Sequence, residues 1–61
     1  MDIELAKDMT YGLMISASEK QPEKNDFVFP IKYQGETFHA IWMKDINVSQ
    51  PEWYLTVEKQ Q

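Results

Sequence analysis

The sequence predicts an α+β fold in which one N-terminal helix packs on a three-stranded antiparallel β-meander. Three observations predict it. Residues 2–18 carry an apolar stripe at helical spacing, two alternating segments flank Gln34-Gly35, and a third alternating segment lies near the C-terminus. An all-β small sheet or barrel is the alternative.

The helix is predicted over residues 2–18. Asp2 is an acceptable N-cap, and Glu4 and Asp8 suit the positive end of the helix dipole. Ile3, Ala6, Thr10, Leu13, Met14 and Ala17 then share one face at the 3-4 spacing. Gly12 in the interior costs about 1 kcal/mol relative to Ala. The same stretch also reads as a strand, because Tyr11, Leu13, Ile15 and Ala17 alternate with Gly12, Met14, Ser16 and Ser18. A short helix followed by a strand from Tyr11 is therefore the competing assignment, and the helix is preferred because its stripe runs longer.

Ser18–Asp26 is polar throughout and contains Pro22, so it reads as a connecting loop. Strands are predicted at 27–33 and 36–43. A two-residue loop at Gln34-Gly35 sets their register: Tyr33 faces Glu36, Ile31 faces Phe38, Phe29 faces Ala40 and Phe27 faces Trp42. Apart from Glu36, every one of those side chains is apolar, so the turn and the hydrophobic pattern agree independently. In that register Pro30 and His39 form a non-hydrogen-bonded pair, and the proline nitrogen points away from the partner strand. Residues 27–33 should therefore be an edge strand, protected from further pairing by Pro30 and Lys32.

The third strand is predicted at 53–58, with Trp53, Leu55 and Val57 alternating against Tyr54, Thr56 and Glu58. A helical reading competes here too. Ser49-x-x-Glu52 resembles a capping box with Pro51 in the first turn, but β-branched and aromatic content favours the strand. The link Lys44–Gln50 is expected to tuck Ile46 and Val48 inward.

Composition narrows the function classes. The 61 residues make a single small domain, and a chain of that size buries only roughly 60% of its unfolded surface. There is no cysteine to form a disulfide. His39 is the sole histidine, which leaves no set of ligands for a tight zinc site. The acidic start Met1-Asp2-Ile3-Glu4 does not read as a secretory leader, and no apolar run approaches the roughly 20 residues of a membrane helix. The expected location is the cytoplasm, where the sequon Asn47-Val48-Ser49 carries no meaning. The formal charge is −4, and all six cations are scattered lysines without a single arginine, so direct nucleic-acid binding is not expected.

Catalytic machinery is not expected either. His39 is the one group that titrates near neutrality, but alternation puts Glu36 on the opposite face and no nucleophile is placed beside it. Glu4/Asp8 and Glu19/Glu23 are spaced for one helix face without implying a cleft. With Gly12 and Gly35 the only glycines, no phosphate-cradling loop can be drawn. Asp45-x-Asn47 begins like an oxygen-rich calcium loop and then fails. The sequence therefore predicts no catalytic, cofactor-binding or metal-binding residue.

The aromatic residues alternate into a core, yet an apolar excess remains. If Phe27, Phe29, Phe38, Trp42, Trp53 and Leu55 face the helix, the opposite sheet face shows Val28, Ile41, Met43 and Tyr54 beside His39. Such a face is more than scattered exposure. The expected function is that of a small acidic protein-binding module, an inhibitor, adaptor or antitoxin-like factor of the size and acidity found among phage and plasmid accessory proteins. It would use Val28, His39, Ile41, Met43 and Tyr54 against another protein, one that is basic or binds nucleic acid. The alternative is a structural homodimer with the same face as its interface.

Overall fold

The computed structural model describes residues 1–50 and 52–60. Its elements are α1 (Ile3–Lys20), β1 (Asp26–Tyr33), β2 (Glu36–Asp45) and β3 (Glu52–Lys59). The three strands form one antiparallel sheet in the order β1-β2-β3, with α1 on one face. This is the α+β meander expected from the sequence, and neither the strand from Tyr11 nor a helix at 52–58 forms. Pro51, the first-turn residue of that helical reading, lies outside the described residues.

Local chemistry sets each boundary. Asp2 has extended backbone, and its Oδ1 accepts from the Glu4 N–H at 3.1 Å, which fixes the helix start. The helix runs through Ser18 and Glu19 to Lys20, two residues further than expected. It stops at Gln21 because the following Pro22 disfavours helical backbone there, and the Gln21 N–H closes the last turn on the Ala17 carbonyl at 3.0 Å. At the hairpin, Gln34 and Gly35 both have positive φ, 52° and 78°. Two positive φ values in a two-residue loop are those of a type I′ turn, whose twist matches that of the strands it joins.

The β1–β2 register is Tyr33↔Glu36, Ile31↔Phe38, Phe29↔Ala40, Pro30↔His39 and Phe27↔Trp42, as the turn requires. β3 continues it with Ala40↔Val57, Ile41↔Thr56, Trp42↔Leu55 and Met43↔Tyr54. Pro30 thus lies on an edge strand with its nitrogen directed outward.

The core lies between α1 and the inner sheet face, in two joined clusters. Near the hairpin, Ala6 packs with Ile31, Phe38 and Ala40; further along, Met14 packs with Phe27 and Trp42. Phe29 and Leu55 touch both clusters. Complete burial of each large side chain contributes roughly 1.5–3 kcal/mol. A stacked pair, Phe27–Trp53 at 5.7 Å, and an edge-on pair, Tyr11–Trp42 at 5.9 Å, extend the second cluster sideways.

One polar link crosses this interior. The Trp42 indole N–H donates to Thr10 Oγ1 at 2.8 Å, and the Thr10 hydroxyl donates to the Ala6 carbonyl at 2.7 Å. Both residues are buried, and the arrangement leaves the indole N–H paired away from water.

Two expectations about burial are corrected. Of the expected helix stripe, Ala6, Thr10 and Met14 are buried and Ala17 is half-buried, but Ile3 and Leu13 are 49% and 55% exposed. The contact follows the single i, i+4, i+8 ridge, and Leu13 is rolled off it onto the outer flank beside exposed Met9. Ile46 and Val48 are not tucked inward but exposed at 61% and 46%. Asp45 Oδ1 accepts from the Asn47 N–H at 2.9 Å, and this Asx turn carries the link beyond the sheet, where α1 does not reach.

Three outcomes follow from these contacts. Thr10→Val keeps the shape but strands the Trp42 N–H, and is expected to cost about 1–3 kcal/mol by urea denaturation, with Thr10→Ser losing less. A methyl group at Gly12 would meet no atom within 4 Å. Gly12→Ala should therefore stabilise the fold by about 0.5–1 kcal/mol, seen as a raised thermal midpoint. Finally, Lys59 Nζ lies 2.6 Å from Glu36 Oε1. The hydrogen bond and charge of Lys59 hold the Glu36 carboxyl below its ordinary value. The small stabilisation from that pair is present above the unfolded carboxylate pKa and is lost as pH falls through the lower folded value. An NMR titration of Glu36 should show its midpoint return toward the ordinary range in Lys59→Met.

Candidate outer-face docking site

Alternation along the strands divides the sheet into two faces, and α1 covers one of them. The other is built in rows by the register. Val28, Ile41 and Thr56 form one row across all three strands, and Asp26, Met43 and Tyr54 form the next. Pro30, His39 and Glu58 form a third, on the hairpin side. The five residues singled out by the sequence, Val28, His39, Ile41, Met43 and Tyr54, are thus all on this face.

They are not equally accessible. Val28, Met43 and Tyr54 are 54%, 42% and 50% exposed. Ile41 and His39 are half-buried, because each sits on the central strand between neighbours on both sides. The apolar centre is therefore Val28, Ile41, Met43 and Tyr54, with His39 at its margin. The core contacts of α1 lie on the opposite face, and Ile3, Glu4 and Lys7 approach this one at the flank of Tyr54.

The rim was less visible in the sequence. Asp26, Asp45, Glu52 and Glu58 project from the same side of the sheet as Tyr54, and Lys32 is the cation that alternation places with them. The lysines of the adjoining strands are turned to the other side: Lys44 Nζ sits 5.5 Å from the centre of the Trp53 ring, and Lys59 is held by Glu36. Sorting the scattered charges by strand parity would have found this segregation. The Lys24 ammonium likewise lies over the Phe27 ring at 5.2 Å, away from the outer face.

Beside Tyr54 the face continues into a shallow hollow of about 330 Å³. Asp45, Val48, Ser49, Gln50, Glu52, Trp53 and Tyr54 line it. Val48 therefore serves as an apolar wall of an open surface rather than as a core residue. Among the described residues no three His, Cys, Asp or Glu side chains converge as a metal site would require. His39 lies between Pro30 and Glu58 in the strand register, and among the described residues no hydrogen bond or ion pair joins its side chain to Glu58. Among the described residues no helix is long and apolar enough to cross a membrane.

Comparisons with protein-family models, with curated proteins and with solved structures return no match.

Proposed function

We propose that this chain is a small acidic protein-binding module, an inhibitor, adaptor or antitoxin-like factor that works in the cytoplasm by docking its outer sheet face on a basic protein. It acts by occupying a surface, without a cofactor and without catalysis. The observation that carries this reading is the outer face itself. Val28, Ile41, Met43 and Tyr54 form a contiguous apolar centre that α1 leaves open, and the acids Asp26, Asp45, Glu52 and Glu58 surround it. An apolar centre with a charged rim is the anatomy of a protein interface. Tyr and Met suit it, one as a rigid anchor and the other as an adaptable filler.

The sign of the rim selects the partner. Acids on this side outnumber the single cation Lys32, so the complementary surface is basic. Proteins that bind nucleic acid present such surfaces, and an acidic module can compete there for the phosphate site. The alternative, a homodimer through the same face, would press two acidic rims together and is disfavoured by like-charge repulsion.

The test is affinity capture followed by mass spectrometry, comparing the wild-type chain with Ile41→Glu and Tyr54→Glu. Each variant should keep its circular dichroism spectrum and lose partner affinity by about tenfold or more. The captured protein should be basic, and its affinity should fall as salt rises through the range where the Debye length drops below about 8 Å. Capture that survives both substitutions, or a partner with an acidic surface, would sink the proposal.

A further inference from the structure

The sheet has two edges, and they are treated differently. Antiparallel pairing sends alternate backbone groups to opposite sides of a strand. The Lys44 N–H bonds the Asn25 carbonyl at 2.8 Å on the β1 side, and the Gln60 N–H bonds the Thr37 carbonyl at 2.9 Å on the β3 side. These two bonds fix the parity of the whole sheet. On β1 the outward backbone groups belong to Asp26, Val28, Pro30 and Lys32; on β3 they belong to Trp53, Leu55, Val57 and Lys59.

The β1 edge is blocked at its middle, since Pro30 supplies no N–H, and its outward series begins at Asp26 and ends at Lys32, both charged. The β3 edge carries Lys59 at one end but has no proline within Glu52–Lys59. Trp53-Tyr54-Leu55-Thr56-Val57 is uncharged, β-prone and free of proline, and it presents N–H donors and carbonyls along an eight-residue strand. Backbone groups in such a row seek another strand.

We infer that the free edge of β3 pairs antiparallel with β3 of a second copy of this chain, about a two-fold axis at Thr56, to make one continuous six-stranded sheet. Parity and charge select both the partner and the register. Outward groups lie at odd positions on both strands, so opposed residue numbers must sum to an even value. A sum of 110 sets Glu52 against Glu58, two like charges directly opposed, which is destabilising. A sum of 114 sets Leu55 against Lys59 and leaves Glu52 and Trp53 without opposing residues in 52–60. A sum of 112 pairs the whole of 52–60: Leu55 opposes Val57, Trp53 opposes Lys59, Tyr54 opposes Glu58 and Thr56 opposes itself. No two like charges are opposed in it, and a strand that complements its own reverse suits an isologous dimer. The pairing uses the outward backbone groups of β3, whereas docking would use the outer-face side chains; Tyr54, Thr56 and Glu58 lie beside both, so the amide-exchange readout at β3, rather than partner capture, decides this inference.

Amide hydrogen exchange on the wild-type chain, followed with sedimentation across concentration, tests it directly. As the dimer forms, the N–H groups of Trp53, Leu55, Val57 and Lys59 should slow by about tenfold or more, while those of Val28 and Lys32 on the β1 edge stay unchanged. A chain that remains monomeric to millimolar concentration overturns the inference. So does a dimer whose β3 amides exchange as fast as in the monomer.

Because the chain has no cysteine, single introduced thiols give an independent reading. In the inferred register the two Thr56 Cβ atoms are about 4.5–5.5 Å apart, within reach of a disulfide after slight adjustment. Thr56→Cys should yield a covalent dimer on mild oxidation, and Val28→Cys should not. Crosslinking through Cys at 28, or crosslinking at 56 without β3 amide protection, would indicate face-to-face packing and overturn the pairing. Thr56→Lys, which opposes two ammonium groups on the axis, should return the protein to monomer with its circular dichroism unchanged.

Discussion

The hydrogen bond from the Trp42 indole to Thr10 is the point on which the arrangement of the two layers turns. Hydrophobic burial is non-directional and would hold α1 against the sheet at several rotations. A buried N–H that must meet an acceptor admits few of them. With Thr10 Oγ1 at 2.8 Å from Trp42, Ala6 is set over the Ile31–Phe38–Ala40 cluster and Met14 over Phe27. Thr10 can receive the indole only because its own hydroxyl proton is directed to the Ala6 carbonyl, so a weak helix former supplies the specific contact.

That rotation also determines what is left outside. By committing the Ala6–Thr10–Met14 ridge to the sheet, the helix turns Met9 and Leu13 to solvent and leaves the far side of the sheet open. The chain therefore has a well-filled interior on one side of its sheet and an apolar centre with an acidic border on the other. The two faces belong to the same strands and differ by one residue in phase. A slip of one position would exchange them, so the Gln34-Gly35 turn preserves the composition of the outer face as much as that of the core.

The sheet was legible in the sequence because two independent signals had to agree there. Turn length set which residues oppose one another, and alternation set which of them are apolar. Pro30 then identified the edge by the parity of its missing N–H. The helix was less legible. Periodicity gave the direction of its buried face, but the width of the contact depends on how closely the helix sits, and Leu13 and Ile3 fall outside a narrow ridge. Ile46 and Val48 misled for a different reason, since hydrophobicity alone does not show that the Asx turn at Asp45 carries them beyond the reach of α1. The apolar members of the outer face followed from strand parity. Its acidic rim was equally encoded, but only in the phase of the charges within each strand, which overall composition conceals.

Pro30 has a consequence for stoichiometry. A sheet with two open edges can be extended from either end without limit, and chains that join in that way form fibres rather than counted assemblies. Here one end of the sheet is sealed by a residue that has no hydrogen to offer. A second copy joined at β3 would bring its own Pro30 edge to the far end, so a sheet extended by its own kind would end with the first addition.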